Sequence, residues 1–123
     1  MRIRNFFPAV ILILLCTGIP LFGLDASGVL VVYNSSWTGD NDGDGTQDSQ
    51  QIAEYYAAKR GIPADNIMSV ATRTQYYYDT HENFYNQLVV PVKDKLSDLG
   101  ATNIDVICLV YGIPYRTLRS SGG

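Results

Sequence analysis

Between Asp40 and Gln51 the chain reads Asp-Asn-Asp-Gly-Asp-Gly-Thr-Gln-Asp-Ser-Gln-Gln. Asp40, Asp42, Asp44 and Asp48 occupy positions 1, 3, 5 and 9 of a twelve-residue calcium loop, with Gly45 at position 6. Alternate residues in a tight loop aim their oxygens at one centre, and a glycine supplies the sharp turn between them. Thr46 would offer its backbone carbonyl at position 7, and Asp48 would act directly or through water. Gln51 stands at position 12. No Lys or Arg lies within the loop to relieve the repulsion among four carboxylates, so a hard divalent cation is the expected counter-charge.

Two features depart from a complete EF-hand. Gln51 offers one neutral oxygen where a bidentate Glu normally sits, and no helix enters the loop, because it follows an apolar strand. The pattern resembles the calcium loops of dockerins and thrombospondin type 3 repeats. Those modules are extracellular, and such sites are typically weak, with Kd on the order of 0.1–1 mM. A competing reading needs no metal: a solvated acidic turn feeds a helix, and Asp48 and Gln51 form its capping box. That reading leaves the strict alternation of Asp40, Asp42 and Asp44 unexplained, and calcium is the expected cofactor.

The elements that must position this loop follow from hydrophobic pattern. Gly28–Tyr33 is a short β-branched run that reads as a strand buried on both faces. Asp48–Arg60 has helical character, with Ile52, Tyr55, Tyr56 and Lys59 at helical spacing, and is stopped by Gly61 and Pro63. Asn66–Ala71 is a second apolar run. Phe84, Leu88, Val92, Leu96 and Leu99 form one stripe of a second helix, which Pro91 should kink or split in two. Ile104–Tyr111 is the third and most apolar strand, and Arg116–Gly123 reads as a polar, loop-like tail. Strand, helix, strand, helix, strand predicts right-handed crossovers and a parallel sheet covered on both faces. The expected fold is an α/β, three-layer Rossmann-like or flavodoxin-like sandwich. Three strands make about half of such a sheet, so residues 25–123 are expected to be the N-terminal portion of a longer domain.

Residues 1–24 have a different character. Arg2 and Arg4 precede an apolar stretch from Phe6 to Leu15, with Gly18 and Pro20 behind it. A basic start, a short apolar core and a helix breaker describe a secretory signal peptide. The alternative is an uncleaved N-terminal anchor, since Phe6–Leu24 is nearly long enough to span a bilayer. The protein is therefore expected to be secreted or held at the cell surface, in the periplasm or outside the cell, with no other membrane association. Loss of the segment removes Arg2, Arg4 and Cys16, which makes the formal net charge of -3 more negative by two. Cys108 is then alone, with no internal disulfide to form, and its apolar neighbours predict a buried, inert thiol. Of the 123 residues, 46% are hydrophobic, too many for a disordered chain, and 9 Lys+Arg against 12 Asp+Glu leave no surplus for phosphates. Nucleic acid is excluded as a partner. A cell-surface or extracellular-matrix partner fits the expected compartment.

Ligands of open parallel sheets bind beyond the carboxyl ends of the strands. Here that edge would hold Asn34–Trp37, Thr72, Arg73, Tyr111, Tyr115, Arg116 and Arg119, beside the acidic loop. The three arginines could grip an anion. The nine tyrosines, Tyr76–Tyr78 above all, could stack on sugars, although packing against a neighbour is the plainer reading. His81 is the only histidine and is given no role. Asn34-Ser35-Ser36-Trp37 stands where a dinucleotide fingerprint would place glycines, and no Gly-x-Ser-x-Gly elbow occurs. Catalytic residues are therefore unassigned.

Three segments share a further likeness: VLVVYNSS, DSQQIAEYYAAKRGIPADNI and LVYGIPYR. Together they resemble the start of an uncharacterised exported bacterial family found in genomes with exosortase and PEP-CTERM sorting systems. The resemblance spans about Gly28 to Arg116 and is most specific at EYYAAKRGIP. Gly112–Arg116 matches a Gly-Val-Pro-Leu-Arg ending in that family. The resemblance implies export, the α/β fold and continuation past this chain, and it implies no reaction. Three functional expectations follow. The first is an exported α/β domain with a calcium-stiffened loop. The second is the N-terminal half of a cell-surface hydrolase, such as a caspase- or gingipain-like cysteine peptidase with its catalytic residues further on. The third is a calcium-dependent sugar-binding surface module.

Overall fold

The computed structural model describes residues 23–118. The expected signal segment up to residue 22, including Cys16, and the expected site residue Arg119 lie outside the described residues. Among the described residues no helix is long and apolar enough to cross a membrane.

The first element among the described residues is a single 3-10 turn, Ala26–Gly28, capped by the Asp25 carboxylate, which accepts from Ser27 N and Ser27 Oγ. β1 (Val29–Asn34) follows and forms the centre of a three-stranded parallel sheet. α1 (Asp48–Arg60) crosses one face and leads to β2 (Ile67–Val70), which pairs with one side of β1. The chain next runs through β3 (Tyr77–Tyr78) and α2 (His81–Phe84). A π-helical turn, Tyr85–Val89, joins α2 to α3 (Val90–Leu99). β4 (Val106–Leu109) then pairs with the other side of β1, giving the order β2-β1-β4. This is the mixed α/β architecture expected from the sequence, an open parallel sheet of Rossmann-like or flavodoxin-like type. The first crossover places β2 on one side of β1 and the second returns past β1 to place β4 on the other, so the strand order reverses between β1 and β4.

Successive residues of a strand point to opposite faces, and β1 builds a core on each. Val29 and Val31 pack with Ala53, Ala57 and Ile62 under α1. Leu30 and Val32 pack with Val70, Tyr78, Leu88, Val92 and Ile113 on the α3 side. The stripe expected for the second helix is the one that packs here, with Phe84, Leu96 and Leu99 at its margins.

Pro91 stands where the stripe divides into two abutting helices, the second of the two expected outcomes. It has no N–H to donate, and the widened turn before it takes up the mismatch: Val90 N donates to Tyr85 O, five residues back.

The spacing in α1 left its buried face open, and three expectations, on the third strand, Cys108 and Arg116–Thr117, are corrected. The buried face of α1 is Ser49, Ala53 and Ala57, whereas Ile52 is 42% exposed and Tyr55 faces solvent. β-Branched Val29 and Val31 already fill the space over the strand, so only small residues fit where the helix crosses it. The third strand is shorter than Ile104–Tyr111, and Val106, Ile107 and Leu109 are exposed because β4 lies at the sheet edge. Cys108, expected to be buried, is half-buried there as a free thiol. Finally, Arg116–Thr117 is no loop: it forms β5, which pairs in parallel with β3.

That small second sheet explains the tyrosine run. Tyr78 is 1% exposed, part of the core, and its hydroxyl accepts from Thr72 Oγ1 at 3.0 Å. Burial pushes the Tyr78 phenol above its ordinary pKa, partly opposed by the Thr72 hydrogen bond. The unfolded chain ionises this group near pH 10 and the folded chain only at higher pH. The stabilisation from keeping Tyr78 neutral is therefore complete below about pH 10 and is lost as pH rises from there toward the raised folded value. Urea midpoints measured from pH 8 to 11 should fall above about pH 10. The fall should be shallower in Tyr78→Phe, which has no phenol to ionise.

Candidate functional site

Asn34, the last residue of β1, is fully buried and uses the whole hydrogen-bonding capacity of its amide. Nδ2 donates to Arg73 O and Gly112 O, each at 2.8 Å. Oδ1 accepts from Ser36 N at 2.9 Å and Thr72 N at 3.3 Å. One side chain thus joins the segments that follow β1, β2 and β4. Ser49, in the first turn of α1, completes the junction: its Oγ accepts from Asn34 N at 2.9 Å and donates to Tyr111 O at 2.5 Å. Gly112 comes so close that a Cβ there would lie 3.1 Å from Ser49 Oγ and 3.3 Å from the Trp37 ring. Trp37 meets Tyr111 edge to face, with centroids 4.9 Å apart.

The acidic loop occupies the connection between β1 and α1. Its base is closed by Asp48 N donating to Gly39 O at 2.7 Å. Asp40 turns inward and accepts from Gly43 N at 2.9 Å and Gly45 N at 3.0 Å. Asp42 Oδ1 accepts from Asp44 N, and Asp44 Oδ1 from Thr46 N. Gly45 has φ of 90°, the left-handed region that a side chain at this position would disfavour. The result is a cluster in which one oxygen each from Asp40, Asp42 and Asp44 lies within 4.8 Å of the others, all exposed. Such a cluster could hold a metal ion. Among the described residues the ion pair is Arg73 with Asp79, so no basic side chain neutralises the three carboxylates.

The remaining residues of the expected ligand set are placed as follows. Gln51 spans the mouth of the cluster, its Nε2 donating to Asp42 Oδ2 and Asp44 Oδ2 at 2.8 Å each. That bond holds the Asp42 carboxyl below its ordinary pKa. Thr46 lies beside Asp44 through its backbone N–H. Asp48 stands apart from the cluster: it is buried, and its carboxylate accepts from Asn41 N at 3.0 Å and Asn41 Nδ2 at 2.6 Å. The capping-box reading fails on the same geometry, because Gln47 is the N-cap, no side chain caps the helix, and Gln51 N bonds to Gln47 O.

Trp37 borders both regions. A Cβ on Gly39 would lie 2.6 Å from Trp37 Nε1 and 3.1 Å from Asp48 Oδ2, so indole and carboxylate meet at that glycine. Of the arginines expected at this edge, Arg73 and Arg116 are among the described residues, and they meet at one aromatic ring. Arg73 pairs with Asp79 and Gln75, and both Arg73 and Arg116 stack on the Tyr77 ring. His81 begins α2 behind its cap, Thr80, and packs against Phe84. Sequence reasoning missed Asn34 as the tie between loops. The available signal was a polar residue ending a strand buried on both sides.

No family model, curated protein or solved structure matches the chain.

Asn34→Ala would leave Ser36 N, Thr72 N, Arg73 O and Gly112 O without their partner. Each buried unpaired group costs about 1–3 kcal/mol, so a loss of roughly 3 kcal/mol or more is expected from urea unfolding. Ser35→Ala, at an exposed site whose hydroxyl donates only to Val70 O, should cost about 1 kcal/mol or less.

Proposed function

We propose that this is an exported protein whose Asp40–Gln51 loop binds calcium and thereby fixes the carboxyl edge of its sheet. The observation that carries the reading is the convergence of Asp40, Asp42 and Asp44 oxygens within 4.8 Å, without a basic neighbour. Calcium accepts several oxygen ligands in flexible geometry and favours carboxylates and carbonyls. Asp40, Asp42 and Asp44 would hold it, with the Thr46 carbonyl and the Gln51 amide oxygen in support. Gln51 now turns its nitrogen to the carboxylates, and rotation of the same amide would present its oxygen to a cation. Asp48 serves the loop through Asn41, keeping its stem in register with α1. The neutralised loop would then stiffen the path from β1 into α1. Export rests on the basic start and short apolar core of the N-terminal segment in the sequence. The resemblance to the exported exosortase-associated family agrees with that compartment. The exposed apolar edge at β4 supports continuation of the sheet by further strands.

Isothermal titration with calcium tests the metal reading. Saturable binding is expected, with Kd on the order of 0.1–1 mM. Asp42→Ala and Asp44→Ala should abolish it, and Gln51→Ala should weaken it less. Unchanged affinity in Asp42→Ala and Asp44→Ala would overturn the site. For export, N-terminal sequencing of the extracytoplasmic fraction should give a start near Asp25. Protein confined to the cytoplasm would contradict it.

A further inference from the structure

Where the strand order reverses between β1 and β4, open α/β sheets leave a crevice beyond their carboxyl ends. A groove of about 370 Å³ lies at that point, bounded by Trp37 after β1, Thr74–Tyr76 after β2, and the segment from Leu109 to Tyr115. Its size is at the small end of the range for small-molecule sites, about 300–1,000 Å³. Four of its lining residues are aromatic: Trp37, Tyr76, Tyr111 and Tyr115.

The rings come as two pairs. Trp37 and Tyr111 meet edge to face at 4.9 Å, and Tyr76 and Tyr115 lie 6.5 Å apart with planes inclined by 33°. Both pairs are anchored through the backbone. Tyr115 N donates to Tyr76 O at 3.2 Å, next to the β3–β5 pairing, while Tyr111 O and Gly112 O belong to the Ser49–Asn34 junction. Tyr76 and Tyr115 are nonetheless 65% and 76% exposed. Rings of this size left in water on a fixed backbone lose hydrophobic stabilisation unless something covers them.

No lining residue carries a formal charge. The acidic cluster is turned to its own loop, and Arg73 is held by Asp79. No cation lines the groove, and the arginines at its border are engaged, Arg73 by Asp79 and Gln75 and Arg116 by the Tyr77 ring, so the matching ligand is neutral. It must also present an apolar face to the rings and hydroxyl groups to Thr74, Gln75 and the tyrosine hydroxyls. We propose that this groove binds neutral carbohydrate, with a pyranose ring stacked on Tyr76 and Tyr115 and its hydroxyls directed to Thr74 and Gln75. None of the three clustered carboxylates lines the groove, so calcium in the acidic loop would not itself be a ligand of the sugar and could act on it only through Trp37.

The test is calorimetric titration of the full chain with cellotriose, chitotriose and mannotriose, using trigalacturonate and decaproline as comparators. At least one neutral trisaccharide should bind saturably with Kd on the order of 1 mM or tighter. Tyr76→Ala and Tyr115→Ala, both at exposed positions and so expected to keep the native circular dichroism, should each weaken binding about threefold to tenfold. Asp42→Ala, which removes no groove contact, should weaken binding less than either tyrosine substitution. Failure of all three neutral sugars to bind the folded protein would overturn the proposal. So would indifference to both tyrosine substitutions, or preference for trigalacturonate or decaproline. The last result would mark an aromatic groove for proline-rich peptide instead.

Discussion

The carboxyl edge of this sheet depends on one amide. Asn34 ends the central strand in full burial, where an unpaired polar group would cost more than most side chains contribute. Its four hydrogen bonds remove that cost by drawing in the backbone after every strand of the main sheet. An aspartate could not donate to Arg73 O and Gly112 O, and an aliphatic residue would satisfy nothing. Asn66 does related work at the opposite end of β1, donating to Ser27 O and Val29 O. The strand is thus fixed at both ends by side-chain amides, and the loops at its carboxyl end have a common rigid footing.

That footing gives the acidic loop and the aromatic groove their relation. Ser49 carries the Asn34 junction into the first turn of α1, and Asp48, one residue earlier, carries the loop stem through Asn41. Trp37 lies between them, its N–H edge at Gly39 beside Asp48 and its ring against Tyr111 and Gly112. A charge-bearing loop and an uncharged groove consequently share a border without sharing ligands. Among the described residues the carboxylate cluster is held by backbone N–H groups and the Gln51 amide, which orient it but leave its charge uncompensated.

The order of strands and helices was legible because β1 is an unbroken apolar run and the Phe84–Leu99 stripe has a clear helical period, and both lie where burial enforces them. The carboxylate alternation likewise showed in the sequence, since a loop bonded to its own backbone is a local object. What depended on tertiary placement was not legible. The spacing of Ile52, Tyr55, Tyr56 and Lys59 marked a helix but not its buried face, which is Ser49, Ala53 and Ala57 because of the crossing over Val29 and Val31. β4 reads as the most buried strand, yet position in the strand order made it an edge. The β3–β5 pair is two residues long on each side, too short for any pattern, and its partners are far apart in sequence. Asn34 could be placed at that edge but its role as the tie could not be read, because the three segments it joins meet only in the folded chain.

The account holds that cation binding at Asp40, Asp42 and Asp44 is felt at the carboxyl edge through the loop stem. Trp37, the only tryptophan, stands at that junction. The most direct measurement is its fluorescence during a calcium titration to about 10 mM, followed by excess chelator. A saturable change that the chelator reverses is the predicted result. A folded protein whose Trp37 emission stays constant throughout would contradict the account and leave the loop an acidic turn.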